Sequence, residues 1–129
     1  MSSVFSRIAS GEIPSFKIAE NDNFFAFLDI SPLAAGHTLV IPRKEVDYIF
    51  DMEETLYMEF WQFAMHVAEA LKKSVPCLRI GVAVIGLEVP HAHVHLIPLN
   101  NMGEMTFKHK VSLTKEEFET LAKSIKANL

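Results

Sequence analysis

Between Pro90 and Pro98 the chain reads His91-Ala-His93-Val-His95-Leu-Ile, with a histidine at every second position and small or branched apolar residues between them. This is the two-residue period of a β-strand, in which successive side chains point to opposite faces. The imidazoles of His91, His93 and His95 are therefore expected on one face, over about 13 Å, with Ala92, Val94 and Leu96 on the other. Each ring needs hydrogen-bond partners and titrates near neutrality, so such a row is costly in an inert core. The pattern marks this strand as a place where chemistry is done.

At 129 residues the chain reads as one domain, 1–129, long enough for a hydrophobic core without disulfides. Its residues are 50% hydrophobic and 22% charged, an ordinary globular balance. The net charge of −4 gives no electrostatic basis for binding nucleic acid or an anionic membrane. A nucleotide would have to be gripped locally. Cys77 is the only cysteine and reads as a small buried hydrophobe. The opening Met1-Ser-Ser-Val-Phe-Ser-Arg lacks the apolar core of a signal peptide. Without a run of about 18 apolar residues to span a membrane, a reducing cytoplasm is the expected compartment.

Hydrophobic periodicity predicts a short helix over Ser2–Ser10, stopped by Gly11 and Ile13-Pro14, and an aromatic strand over Phe24–Ile30. After Ser31-Pro32 and a small-residue turn through Gly36, a second strand runs from His37 to Ile41, antiparallel to the first. Glu53 to Ser74 is the longest helix, with Leu56, Phe60, Phe63, Val67 and Leu71 as its inner stripe. Tyr57, Trp61, Ala64, Met65 and Ala68 leave little polar surface on its other sides, which predicts a homodimer across this helix. Leu78–Ile85 reads as a buried strand, and His91–Pro98 as its antiparallel neighbour. Thr114-Lys-Glu-Glu117 is a capping box that opens a last helix, to Ala127. The fold class is α+β, an antiparallel sheet with a long central helix and a C-terminal helix.

For the histidine row three chemistries compete. One is a polar strand face satisfied by hydrogen bonds. Another is a metal site, since a His-x-His pair on a strand can hold zinc once a third ligand arrives. No obvious partner exists in the run, and the expectation is no metal and no cofactor. The third is imidazole catalysis. Residues two apart on a strand are roughly 6.5 to 7 Å apart, which suits an attacking ring flanked by donors to one phosphate-sized group.

His91-Ala-His93-Val-His95-Leu-Ile resembles the His-φ-His-φ-His-φ-φ signature of the histidine-triad superfamily of nucleotidyl hydrolases and transferases. Phe5 through Ile13-Pro14 is similar to the family's opening segment. Phe27-Leu-Asp29-Ile-Ser-Pro32 and Gly36-His37-Thr-Leu-Val-Ile-Pro42 are similar to its second block, and the whole looks nearest to the small Hint-like branch. The resemblance implies that His93 is the nucleophile, that it attacks an α-phosphorus and that it carries a nucleotidyl intermediate. It implies that His95 lies beside the transferring phosphate, with His91 and His37 in support. It places Asp29 on the ribose hydroxyls, Phe5, Ile8, Ile13, Phe27 and Ile30 around a purine base, and Glu88 near the leaving group. The implied activity is that of a purine nucleoside phosphoramidase. The alternatives are a dinucleoside polyphosphate hydrolase, or a nucleotide-binding dimeric module with little turnover.

Departures from the family pattern bear on substrate and metal. Ser3 and Ser6 stand where many bacterial relatives have a zinc-binding Cys-x-x-Cys, and Leu28 where relatives often have a histidine, so that zinc site is expected to be absent. Leu87 stands in place of a glutamine near the phosphate, and Glu88 in place of a serine.

Overall fold

The computed structural model describes residues 2–129. Its elements in chain order are α1 (Val4–Ala9), β1 (Lys17–Glu20), β2 (Phe24–Leu28), β3 (Thr38–Pro42), α2 (Glu54–Ser74), β4 (Arg79–Ala83), β5 (Val94–Leu99) and α3 (Lys115–Ala127). The strands form one antiparallel sheet in the order β1-β2-β3-β5-β4, so the fold is α+β as expected.

Alternation along the strands sorts the core into two layers. Phe24, Ala26 and Leu28 of β2, Val40 of β3, and Ala92, Val94 and Leu96 face α2 and α3. Phe25 and Phe27, with Leu39 and Ile41, face the other way and are covered by Phe5 and Ile8 of α1. Every residue of β2 and β3 is buried, because helices cover both faces of the central strands. On α2, Phe60, Val67 and Leu71 form the inner stripe as expected, joined by Ala64, expected on an outer side, while Phe63 is only partly buried. The Phe60 ring lies 5.5 Å from Phe24. Glu53 caps this helix by accepting from the amides of Thr55 and Leu56. The Thr114–Glu117 capping box opens α3 as read from sequence. α3 then covers its own sheet, with Phe118 stacked on Phe16 at 4.8 Å.

Two sequence expectations need correction, and one strand has no counterpart among them. The strand expected over His91–Pro98 begins only at Val94; His91 lies in a bend and His93 in the short segment leading into the strand. The β3–β5 ladder stops there for a physical reason: Pro42 has no N–H to offer, and His91 Nε2 takes its carbonyl at 2.7 Å. The side-chain alternation nevertheless continues through the lead-in, so Ala92 and Val94 still face the helices. The strand expected over Leu78–Ile85 is shorter and is an edge strand, with Leu78 and Val82 exposed. Finally, Lys17-Ile-Ala-Glu20 pairs with β2 across a bulge. Four residues with one apolar anchor, Ile18, carry almost no strand signal of their own.

The turn before β3 requires its glycine. Gly36 has φ +96, and a Cβ there would come within 3.0–3.3 Å of Val75, Leu71 and Pro98. This tight passage lets the His37 carbonyl accept from the Asp29 amide at 2.9 Å, which brings the ends of β2 and β3 together.

Candidate active site

Four histidines gather on the α1 side of the sheet, all almost wholly buried: His37, His91, His93 and His95. His95 stands opposite Leu39 on β3 and Ala83 on β4, one strand in from the sheet edge. Its ring centroid is 4.9 Å from that of His93 and 5.2 Å from that of His37.

The hydrogen bonds define the protonation of each ring. His93 Nδ1 is 2.7 Å from the His91 carbonyl, which can only accept, so Nδ1 carries the proton and Nε2 keeps its lone pair. His37 Nδ1 accepts from the Leu33 amide at 3.0 Å, so its proton is on Nε2. That Nε2 is 3.0 Å from His95 Nδ1 and donates to it, which leaves the His95 proton on Nε2. Burial, chiefly, pushes both His37 and His95 down to about 4, with help from Lys110 and neighbouring imidazoles. In this hydrogen-bond order His93 turns a free Nε2 lone pair toward the site, and neutral His95 beside it presents an N–H. A lone pair beside a hydrogen-bond donor is the combination that nucleophilic attack on a polar centre requires.

Asp29 directly follows β2, beside this pair. Its Oδ1 accepts from the Ser31 amide at 2.8 Å, and its Oδ2 lies 3.7 Å from His37 Nε2. Among the described residues, Asp29, His37 and His95 are the one group of three metal-capable side chains whose ligand atoms all lie within 4.8 Å of each other. Their hydrogen bonds do not suit a metal. His37 Nε2 would have to lose its proton while Nδ1 still accepts from Leu33, which leaves an imidazolate.

Of the expected pocket residues, Phe5 and Phe27 meet edge to face at 5.7 Å, and Phe5 lies 4.8 Å from the His93 ring. Ile8 packs on this cluster. Ile13 lines an adjoining shallow groove with Ile8, Pro14 and Phe25. Ile30, 72% exposed, stands in the loop beside Asp29, and Glu88 is exposed in the loop between β4 and β5. Leu28, expected beside a former zinc position, faces the opposite core layer.

Two groups escaped the sequence reading. Phe107 lies edge-on to His95 at 5.1 Å and to His37 at 6.5 Å. It is the one non-glycine described residue in the left-handed backbone region (φ 58), a conformation that costs of order 1 kcal/mol. The segment carrying it is tied down by Val111, whose amide donates to the Pro32 carbonyl at 2.8 Å, and it brings Lys110 over the Phe107 ring at 5.9 Å. The other group is Glu45, just after β3, which accepts from the Ser6 hydroxyl at 2.9 Å. Neither position has a sequence signal, since each looks like an ordinary loop residue.

Residues 10–102 match the family model of the HIT domain. A Hit-like protein of Bartonella henselae has the same fold, with a TM-score of 0.86 and 31% identity over 99% of this chain and 97% of that one. A zinc-bound histidine triad family protein of Mycobacterium smegmatis gives a TM-score of 0.83 at 27% identity, covering 99% and 93%. The adenosine 5'-monophosphoramidase HNT1 of Saccharomyces cerevisiae is 36% identical over 96 residues, which is 74% of this chain and 61% of that protein.

Proposed function

The chain belongs to the HIT domain family, and from that membership and the histidine geometry we propose that it is a nucleotidyl hydrolase or transferase, in particular a purine nucleoside phosphoramidase. His93 is the nucleophile. Its Nε2 lone pair attacks the α-phosphorus in line with the leaving nitrogen. The P–N bond breaks, the amine departs with a proton taken from water, and the nucleotidyl group rides on His93. Water then displaces the imidazole and releases a nucleoside monophosphate. The observation that carries this reading is the 2.7 Å bond from His93 Nδ1 to the His91 carbonyl, which frees Nε2.

In the same reading His95 donates its Nε2–H to a phosphoryl oxygen, and His37 holds it in that tautomer. His91 supports His93 through its carbonyl. Asp29 accepts from the ribose hydroxyls, and Phe5, Ile8, Ile13, Phe27 and Ile30 surround the base. Glu88 faces the leaving group, where a carboxylate suits a cationic amine. No cofactor takes part. The working form is a cytoplasmic homodimer joined across α2. No described helix is long and apolar enough to cross a membrane.

One observation favours a second reading, a nucleotide-binding dimeric module with little turnover. Leu87, 88% exposed, offers no hydrogen bond where relatives place a glutamine. The same loss weighs against a dinucleoside polyphosphate hydrolase.

The test is incubation with adenosine 5'-phosphoramidate followed by intact-mass analysis. A nucleotidyl mass gain on His93 with release of the monophosphate is expected. In His93→Ala both vanish, and turnover drops roughly 10³-fold or more without loss of folding. Near-normal turnover in that variant eliminates the covalent route, whereas binding with neither label nor product favours the module.

A further inference from the structure

Ser3, Ser6, Glu45 and His91 come from three separate stretches of chain and meet in one hydrogen-bonded cluster. Ser3 is the N-cap of α1, and its Oγ accepts from the Ser6 amide at 3.0 Å. The same Oγ is 2.6 Å from His91 Nδ1, and Ser6 Oγ is 3.3 Å from that nitrogen. Ser6 Oγ also donates to Glu45 Oε1, which accepts from the Ser3 amide as well. On the far side of the ring, His91 Nε2 donates to the Pro42 carbonyl at 2.7 Å.

The proton positions are consistent throughout. A carbonyl only accepts, so His91 carries its proton on Nε2 and offers a lone pair at Nδ1 to the Ser3 hydroxyl. Burial holds His91 below its ordinary range, in its neutral form. The Ser3 amide first, then the Ser6 hydroxyl, hold Glu45 low, as a carboxylate. The Ser3 hydroxyl gives its proton to His91 Nδ1 and the Ser6 hydroxyl gives its own to Glu45, so the 3.3 Å approach of Ser6 Oγ to His91 Nδ1 is a contact and not a hydrogen bond.

This donor set does not suit the zinc that a Cys-x-x-Cys would bind in relatives. Serine hydroxyls do not ionise near neutral pH as thiols do, and His91 Nδ1 is already engaged. The cluster nonetheless touches the nucleophile twice. The His91 carbonyl receives His93 Nδ1–H, and Phe5, between Ser3 and Ser6 on α1, lays its ring 4.8 Å from the His93 ring. The same four side chains thereby hold the backbone behind His93 and the aromatic wall beside it.

We propose that Ser3, Ser6 and Glu45 are positioning residues for His93, a hydrogen-bonded clasp that sets its tautomer and ring orientation through His91 and Phe5. The role in catalysis rests on reading His93 as the nucleophile; the effect on its tautomer does not. A clasp that merely fastened α1 to the sheet would change stability and leave the His93 ring as it is.

The test is a long-range proton–nitrogen NMR spectrum of the histidine rings in the full chain, free of substrate, for wild type, Ser3→Ala and Glu45→Gln. Wild-type His93 is expected as a single Nδ1–H tautomer, and the variants as a mixture of both. Nucleotidyl transfer from adenosine 5'-phosphoramidate to His93 should slow about tenfold or more in the variants, with KM within about twofold, as a small misplacement of a reacting group does. Ser3→Thr keeps the hydroxyl and restores both readouts. Where Ser3→Ala does not fold, Ser6→Ala replaces it: the Ser3 cap of α1 stays, while the hydroxyl that ties the cluster to Glu45 is lost. Variants with a pure Nδ1–H tautomer and wild-type transfer overturn the proposal, and so does lowered thermal stability with an unchanged tautomer. A tautomer that is ordered in wild type and scrambled in the variants, without any nucleotidyl-His93 in either, upholds the clasp and rejects the nucleophile.

Discussion

His37 Nε2 and His95 Nδ1 lie 3.0 Å apart, and the bond between them has a fixed direction because the Leu33 amide already occupies His37 Nδ1. The order runs from main-chain N–H through His37 to His95, and it ends on the His95 Nε2–H. A protonated pair breaks this order, since each ring would then bring a donor to a place where it must accept.

Acid should therefore destabilise the protein over a defined window. Above about pH 6.5 both rings are neutral in the folded and the unfolded chain. Below that, the unfolded chain takes up protons that the folded one refuses until about pH 4, so stability falls as pH drops between these values. The loss reaches roughly 3 kcal/mol for each ring taken alone. Urea melts at pH 7 and pH 4.5 measure it, and equal midpoints would contradict it. In Lys110→Met the ammonium that helps hold both rings low is gone, and NMR titration should find both pKa values raised.

Asp29→Asn tests the proposed ribose contact. Asparagine keeps an oxygen for the Ser31 amide, so the turn survives. The second acceptor is lost together with the charge. We expect kcat/KM for a ribonucleoside phosphoramidate to fall about tenfold, the scale of one hydrogen bond to a charged group. The 2'-deoxy substrate should fall much less. An equal drop on both substrates would remove Asp29 from the ribose.

Zinc chemistry should appear on changing two atoms. Ser3 Oγ and Ser6 Oγ are 3.4 Å apart, close to the spacing of about 3.7 Å for two thiolates on one tetrahedral zinc. With His91 and Glu45 alongside, Ser3→Cys/Ser6→Cys should retain one zinc per chain after dialysis, read by competition with a chromogenic chelator. The wild type should retain none, and its turnover should be indifferent to EDTA.

Self-association is expected across α2 and the neighbouring edge of the sheet. Met58, Met65 and Val82 are exposed, and a groove of about 420 Å³ lined by Tyr57, Trp61, Ile85 and Leu87 lies alongside. The Trp61 Nε1 is buried there without an acceptor among the described residues. Sedimentation should give a dimer for wild type and a monomer for Met65→Glu/Val82→Arg. A monomeric wild type at micromolar concentration would refute the arrangement.

Much of the scaffold is legible locally. The period-two row from His91 to Leu96 places the imidazoles and the apolar residues on opposite faces, although pairing begins only at Val94. Helix α2 follows from a stripe at helical spacing, and α3 from its capping box. These features are visible because period and capping are properties of neighbouring residues. β1 escaped because four residues cannot display a period, and only its pairing with β2 makes it a strand.

By itself the sequence determined that the imidazoles of the row share one face and Ala92, Val94 and Leu96 the other, since alternation acts along the chain. Tertiary structure alone decided the protonation and the company of the rings. It set Leu33 against His37, Glu45 and the two serines against His91, and Phe107 against His95. Those partners lie 4 to 88 positions apart. A tautomer is fixed by whichever donor or acceptor folding brings to a ring, and no local pattern records that meeting.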